Sequence, residues 1–191
     1  MTKRWSLFAS RTNRVLDFGC GTGDISFQYL QYQPYHKIVG VDKAEAGISF
    51  AKETARLSNY KRTHFLAGGE ELLDQFNKAD FDGIILSNVL DVMPKDVSCE
   101  TMLKLNKLLK HEGYLFIKMN PYYSQEELES FGYQKKGANL YEEEGILHLR
   151  QATTEYWEKQ LSEFGKIIVY LEFQYPWQKG MNRLFVIKKF H

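Results

Sequence analysis

Stretches with the apolar pattern of a strand alternate along the chain with stretches that have the apolar spacing of a helix. Five short apolar runs are typical of strands, at residues 13–18, 37–42, 63–67, 81–87 and 113–119. Four stretches between them carry apolar residues at helical spacing, at residues 24–32, 44–58, 70–77 and 99–109. Strands that alternate with helices in this way predict a parallel sheet covered by helices.

The alternation stops after residue 119. Residues 120–152 contain no clear core helix, which makes this segment long for a simple connection. The elements predicted in and after it are a short helix at 124–130, a hairpin of strands 139–141 and 146–150, a helix at 154–164, and two strands at 167–175 and 181–190. Two threonines at the start of the last helix suit its N-cap. The whole chain is predicted as one domain.

A glycine-rich stretch follows the first predicted strand. Asp17 precedes Gly19, Gly21 and Gly23, which occupy alternate positions. Such glycines let a strand turn sharply into a helix and let a ligand approach the bare backbone. A carboxylate beside the loop would repel a pyrophosphate but attract an ammonium or sulfonium group. The loop therefore favours a cationic, non-phosphorylated nucleoside over a dinucleotide.

The glycine stretch, together with Asp42 at the end of the second strand, resembles the class I S-adenosylmethionine-dependent methyltransferases. The resemblance runs from about residue 13 to the end of the chain and is most specific between Val15 and Asp42. It implies an α/β fold with a doubly wound, Rossmann-like sheet of seven strands. The sheet would be mostly parallel with the last strand antiparallel, and helices would cover both faces. Residues 13–119 would form the cofactor-binding core, and residues 153–191 the C-terminal helix and closing hairpin.

The resemblance also implies S-adenosyl-L-methionine as cofactor and assigns residues to it. Asp17 would hold the ammonium of the methionine moiety, and Asp42 would accept both ribose hydroxyls. The further residues assigned to the cofactor site are Gly19, Cys20, Gly21, Asp24, Lys43, Ser87, Asn88 and Val89. Three of these have simpler explanations: Cys20 as a small filler, Asp24 as an acid suited to a helix N-terminus, and Lys43 as a solvated lysine.

The third motif departs from the family pattern. Family members often carry an acid in the turn after the third strand, where it contacts the adenine amino group. Gly69 stands in that place, and Glu70 follows one residue later. The side-chain contact to adenine must therefore come from Glu70 or be lost, while backbone contacts at Gly69 remain available.

Residues near the methyl acceptor are harder to assign. Asp91 follows the fourth strand and suits either a general base or a cap on the next helix or loop. Only about a dozen residues precede the first strand, and we expect them not to provide the N-terminal cover that many relatives place over the acceptor. We therefore predict that residues 120–152 form a lid instead. Tyr122, His148 and Arg150 are the candidate contacts there. His148 and Arg150 would share one face of a strand, where they could bind an acidic acceptor or remain exposed hairpin polars.

Composition restricts the partners. The net charge is +1 and the basic residues form no block beyond the first four residues, so a small-molecule acceptor is favoured over nucleic acid. The two cysteines have no metal-ligand spacing, and no metal is expected. The absence of a signal peptide and of a long apolar run predicts a reduced, cytoplasmic protein that does not enter a membrane. The oligomeric state stays open.

Three other functions compete with this interpretation. A non-catalytic adenosylmethionine-binding or scaffold domain would share the cofactor motifs. An RNA methyltransferase would need a basic concave surface. A NAD-dependent oxidoreductase would carry a Gly-x-Gly-x-x-Gly loop without Asp17, which is not the loop found here.

Overall fold

A computed structural model describes residues 2–190, with side chains from Trp5 to Phe190. The helices are α1 Thr2–Arg11, α2 Asp24–Tyr32, α3 Glu45–Leu57, α4 Lys95–Leu108, α5 Gln125–Ser130 and α6 Thr154–Leu161. The strands are β1 Arg14–Phe18, β2 Lys37–Asp42, β3 Thr63–Ala67, β4 Phe81–Ser87, β5 Leu109–Met119, β6 Gln134–Lys135, β7 Leu140–Glu143, β8 Ile146–Arg150, β9 Gly165–Phe173 and β10 Asn182–Lys189. Two 3-10 turns, Glu70–Gln75 and Leu90–Val92, follow β3 and β4.

Seven strands form one sheet in the order β3-β2-β1-β4-β5-β10-β9. The first five strands are parallel, and β10 runs antiparallel to both β5 and β9. The direction of the strand order reverses between β1 and β4. Helix α2, which follows β1, and helix α4, which follows β4, pack on opposite faces of the sheet. This topology confirms the predicted Rossmann-like sheet and places the carboxyl ends of β1, β2 and β4 at one edge, where open α/β sheets bind their ligands.

The sheet is buried on both faces, as its near-continuous apolar strands predict. One face packs Leu16, Ile84 and Leu115 against α4 and α6. The opposite face packs Ile85 and Phe116 against α1 and α2. Each strand thus sends alternate residues into two separate cores, which fixes the register of the central strands.

A helix that was not predicted precedes the first strand. Trp5 and Phe8 of α1 are buried and pack on Phe116, with the Trp5 and Phe116 rings stacked at 4.2 Å. Tyr29 of α2 contacts the same two α1 side chains. Because Trp5 and Phe8 lie one turn apart, they share the face that covers the sheet.

Residues 120–152 fold into a small unit beside the main sheet. Strands β6, β7 and β8 form a three-stranded antiparallel sheet that packs with α5 around Leu128, Tyr141 and Leu149. Ser124 and Glu127 form a capping box at the N-terminus of α5. The predicted hairpin is therefore present, and β6 is an added strand. Within residues 2–190, no helix is long and apolar enough to cross a membrane.

Candidate functional site

The glycine loop lies at the carboxyl end of β1. Gly19, Gly21 and Gly23 adopt φ values of +75°, +52° and +83°, which side chains other than glycine rarely adopt. The Gly19 amide donates to the Val41 carbonyl at 2.8 Å, which ties the loop to β2. A Cβ at Gly19 would lie 2.5 Å from Cγ2 of Val89. The loop backbone is thus pressed between β2 and the turn after β4, and only glycine fits there.

Asp42 holds the glycine loop through its carboxylate. One oxygen accepts the Gly21 amide at 2.7 Å, and the other accepts the Ala44 amide at 2.8 Å. The two bonds fix the orientation of the carboxylate at the end of β2. Each oxygen keeps a further lone pair, so hydroxyl donors of a ligand can still bind it. This arrangement fits a ribose whose two hydroxyls donate to one carboxylate.

Asp17 is the most unusual side chain of the site. It is completely buried, and its Oδ2 accepts the Ser26 hydroxyl at 2.6 Å. Its Oδ1 has no hydrogen-bond partner within the described residues. Burial, reinforced by the charge of Asp42, raises the pKa of Asp17 to about 7 against the lowering effect of the Ser26 bond. A buried carboxylate oxygen without a partner is costly, and a ligand ammonium would satisfy it. The pair Asp17 and Asp42 therefore fits the two polar ends of S-adenosylmethionine.

A cavity of about 220 Å³ opens beside Asp42 and the glycine loop. It is lined by Phe18, Gly19, Val41, Asp42, Lys43, Gly68, Gly69, Asn88, Val89, Val92 and Met93. The structure thus brings six of the predicted cofactor residues to one cavity: Gly19, Asp42, Lys43, Gly69, Asn88 and Val89. The cavity combines an apolar rim from the turn after β4 with a polar wall from the end of β2.

Six predicted cofactor residues do not line the cavity. Asp17 and Gly21 belong to the end of β1 and the glycine loop described above, and the other four have different surroundings. The Cys20 thiol packs in an apolar cluster with Ile48 and Phe65, in agreement with a filler role. Asp24 is exposed in the first turn of α2. Ser87 and Glu70 do not line the cavity. Their assignment to the cofactor is therefore not supported by side-chain position.

The position of Lys43 explains why glycine, and not an acid, occupies position 69 in the turn after β3. A Cβ at Gly69 would lie 2.3 Å from Cε of Lys43, so the lysine stem occupies the space beside the backbone there. The Lys43 ammonium lies 3.1 Å from the Glu70 carboxylate. Hydrogen bonds from its own backbone and from Lys43 lower the pKa of Glu70. Glu70 thus positions Lys43 along the cavity wall, and glycine at position 69 makes room for it.

Sequence reasoning missed Lys118, which contacts Asn88, and Tyr175, which lies beside Lys118. Asn88 adopts φ +56°, and its side-chain oxygen accepts the ammonium of Lys118 at 2.8 Å. Lys118 is only 6% exposed, and its Nζ lies 5.6 Å from the centroid of the Tyr175 ring. The available signal was a lysine within the apolar run of β5, since a charge in such a strand needs a special partner.

The predicted acceptor residues separate into different environments. Asp91 is buried, and its Oδ2 accepts the Asn120 amide at 2.6 Å. Burial raises the pKa of Asp91 against the lowering effect of this bond. Asp91 thus caps the backbone directly after β5, and not the next helix or loop that the alternative interpretation named. Tyr122 is exposed, and His148 is exposed beside Tyr133.

The prediction that His148 and Arg150 bind an acidic acceptor together is wrong. Arg150 is buried, and its guanidinium donates to the carbonyls of Leu90 and Met93 at 2.8 and 2.9 Å. It also donates to the Ser98 hydroxyl at 2.9 Å. Since these protein groups occupy its donors, Arg150 joins the end of β8 to the turn after β4 and is unavailable to an acceptor.

We expect Asp42→Ala to weaken binding of S-adenosylhomocysteine about 10- to 100-fold, because charge-assisted hydrogen bonds to a ligand contribute about 1.5–3 kcal/mol. Isothermal titration calorimetry measures the change. Asp24→Ala is the matched control, since Asp24 is exposed away from the cavity and its loss should change affinity less than threefold. A change of less than twofold for Asp42→Ala would show that this carboxylate does not hold the ligand.

Comparisons with known proteins point to one family. A family described as "Methyltransferase domain" matches residues 9–169. An uncharacterised protein of Rickettsia prowazekii is 30% identical over 109 residues, covering 57% of this chain and 43% of the relative. A release factor glutamine methyltransferase of Thermodesulfovibrio yellowstonii is 35% identical over 75 residues, covering 39% of this chain and 25% of the relative. The chain thus spans less than half the length of these curated relatives.

A solved structure shares the fold over the whole chain. The 1,6-didemethyltoxoflavin N1-methyltransferase of Burkholderia thailandensis, bound to 1,6-didemethyltoxoflavin and S-adenosylhomocysteine, superposes with a TM-score of 0.72 at 18% identity. The match covers 100% of this chain and 78% of that one. With the family match spanning most of the sequence and the strand order of the sheet, the chain belongs to the class I S-adenosylmethionine-dependent methyltransferase family.

Proposed function

We propose that the protein transfers the methyl group of S-adenosylmethionine to a small-molecule acceptor. The observation that carries this proposal is the buried Oδ1 of Asp17, which has no partner among the described residues and whose chain neighbour Phe18 lines the same cavity as Asp42. A ligand with an ammonium at one end and a ribose at the other satisfies both carboxylates at once. The family match supplies the chemistry expected of such a ligand.

The bound cofactor supplies a methyl group on a sulfonium, which is activated for in-line displacement by a nucleophile. Asp17 and Asp42 anchor the two ends of the ligand, and the glycine loop lets it lie against the backbone. Asn88 and Val89 border the cavity on the side of β4, where we place the acceptor. The protein contributes mainly alignment and exclusion of water, and it holds the nucleophile on the far side of the methyl carbon.

Hydrogen bonds hold the unit of residues 120–152 in place. Gln151 accepts the Tyr123 amide through its Oε1 at 3.2 Å, and Asn120 donates to Asp91. The unit of residues 120–152 is therefore attached to the turn after β4 at its beginning and, through Arg150, at its end. We propose that this unit borders the acceptor and limits its size, as expected of a lid.

A small acceptor suits the charge of the chain better than nucleic acid does. The net charge is +1, whereas proteins that bind nucleic acid carry a basic surface that neutralises phosphates. The Burkholderia methyltransferase, which has the same fold, binds 1,6-didemethyltoxoflavin together with S-adenosylhomocysteine. A small-molecule acceptor therefore agrees with both observations.

Mass spectrometry tests the proposal. The protein is incubated with S-adenosylmethionine labelled in the methyl group and with a cell metabolite extract, and we expect a new labelled compound together with S-adenosylhomocysteine. Asp17→Asn should give neither. Calorimetric binding of the cofactor with no labelled product from metabolite, RNA or protein pools would instead identify a non-catalytic binding domain. Label in RNA or protein alone would contradict the small-molecule acceptor.

A further inference from the structure

A cavity of about 280 Å³ lies between α4 and the 3-10 turn that follows β3. It shares no lining residue with the cofactor cavity. Helix α4 begins at Lys95, directly after the turn that follows β4, whereas this cavity is lined by Lys107 near the other end of the helix. The two helix positions are about 18 Å apart at the rise of an α-helix. The cavity is therefore separate from the cofactor site.

Three lysines line this cavity, which we call the basic cavity: Lys78 from the connection before β4, and Lys104 and Lys107 from α4. Lys104 and Lys107 lie three residues apart, where like charges on a helix repel each other. A fourth lysine, Lys189 of β10, lies near Lys78, since burial and the charge of Lys78 lower the pKa of Lys189. Cations from three parts of the chain thus converge, and a bound anion would offset their mutual repulsion.

The lining of the basic cavity supplies little negative charge. Its acidic residue is Asp74, whose side chain is 76% exposed and whose carboxylate lies 3.9 Å from the Lys104 ammonium. An exposed pair at this distance contributes little. Among the residues that the structure describes, the ammonium groups of Lys78 and Lys107 have no acidic partner. Both lysines are exposed, so a ligand can reach them from solvent.

Helix position alone does not account for this cluster. Lys107 lies in the last turn of α4, where the helix dipole favours a cation without any ligand. Lys78 lies outside the helices and strands, and no dipole of α4 requires a lysine there. Its presence in the same lining therefore needs a different explanation.

The floor of the basic cavity is apolar. Leu73 and Leu108 line it and are 2% and 6% exposed. Phe76 also lines it, and its ring packs edge-on against Phe81 with the centroids 5.2 Å apart. A ring or short chain placed on this floor would be removed from water while its anionic group stayed beside the lysines. The cavity thus combines an apolar surface with a cationic rim.

We propose that the basic cavity binds a small phosphate monoester with an apolar body. A phosphate group carries nearly two charges and three acceptor oxygens, so it can interact with several ammonium groups at once. The volume of about 280 Å³ is that of a site for a small ligand, such as a single ring with its phosphate. Because the site is separate from the cofactor cavity, this proposal does not depend on the proposed function.

Three probes test the charged and the apolar part of the site by calorimetry: phenyl phosphate, methyl phosphate and benzyl alcohol, at about pH 8, where a phosphate monoester carries about two charges. We expect phenyl phosphate to bind about fivefold or more tightly than methyl phosphate, which has the same charge without the ring. Benzyl alcohol should show no saturable binding up to about 10 mM. Lys78→Met and Lys107→Met should each weaken phenyl phosphate about 3- to 5-fold, and the double variant about tenfold or more.

Lys159→Met is the matched control. Lys159 is an exposed lysine in the last turn of α6 and does not line the basic cavity, so this variant should bind phenyl phosphate like the wild type. Thermal unfolding without ligand confirms that each variant is folded. Saturation with S-adenosylhomocysteine should leave phenyl phosphate bound, whereas its displacement would place it in the cofactor cavity and overturn the proposal.

Three further outcomes would overturn the site. They are no saturable phenyl phosphate binding up to about 10 mM, equal affinity for methyl phosphate, and the same weakening in Lys159→Met as in Lys78→Met. Tighter binding of a single-stranded oligonucleotide, lost in the double variant, would identify the lysines as a nucleic-acid contact and not as a small-ligand site.

Discussion

Arg150→Ala is expected to destabilise the protein by about 3–5 kcal/mol. The guanidinium is the partner of the buried Leu90 carbonyl, the partly buried Met93 carbonyl and the Ser98 hydroxyl, and each buried acceptor left unsatisfied costs about 1–3 kcal/mol. The side chain also packs over Trp157, with its guanidinium carbon 4.5 Å from the ring centroid. Its removal therefore adds a cavity to the lost hydrogen bonds. Urea unfolding followed by circular dichroism measures the free energy of unfolding from the midpoint and slope.

His148→Ala is the matched control for Arg150. His148 lies on the same strand two residues earlier, is exposed, and approaches Glu143 only at 3.8 Å. We expect its replacement to change the free energy of unfolding by less than about 0.5 kcal/mol. A loss of less than 1 kcal/mol for Arg150→Ala would show that the carbonyls find other partners. Such a small loss would contradict the role of Arg150 in joining β8 to the turn after β4.

The central sheet was predictable because its strands are buried on both faces. Apolar runs such as 37–42 and 81–87 have one stable placement in a soluble chain, and β2 and β4 begin and end at the predicted residues. The cofactor loop was equally predictable, since alternate glycines followed by a helix allow few backbone paths. Local sequence alone was sufficient for both features.

The buried cations were not predictable, because their partners lie far away in the sequence. Arg150 bonds to carbonyls about sixty residues earlier, and Lys118 bonds to Asn88 thirty residues earlier. A local pattern identifies a basic residue near an acceptor site but cannot show that backbone carbonyls already occupy its donors. Arg150 was therefore predicted to contact the acceptor. Lys118 was not predicted as a site residue, because the other residues of its strand are mostly apolar.

Two short elements, α1 and β6, were not predicted for a related reason. Helix α1 is stabilised by packing of Trp5 and Phe8 on β5 and α2, and a ten-residue helix would be marginal without that contact. The added strand β6 contains two exposed residues and exists only because it pairs with β7. Tertiary contacts form both elements, and neither carries an apolar period long enough to be recognised.

Asp17→Asn is expected to weaken binding of S-adenosylhomocysteine about 100- to 1000-fold, because the ligand ammonium would be buried without its opposite charge. The ligand-free carboxyl group has a pKa of about 7, and only its ionised form attracts the ammonium. The dissociation constant of the wild type should therefore stay level above pH 7 and rise about tenfold for each unit as the pH falls from 7 to 5.5. Calorimetry at half-unit intervals of pH measures both effects.

The pH dependence separates a charged role of Asp17 from a structural one. Asp17→Asn should show a nearly flat profile across this range. Asp42→Ala should bind weakly and still lose affinity as the pH falls, but from a lower pH than the wild type, because the charge of Asp42 no longer raises the pKa of Asp17. The ligand-free wild type should also lose stability as the pH rises from about 4 to 7, because the native state keeps on Asp17 a proton that the unfolded chain releases near its ordinary pKa of 3.8. Asp17→Asn should lack that loss. A steep profile in Asp17→Asn, or a level one in the wild type, would show that another group controls binding of the ammonium.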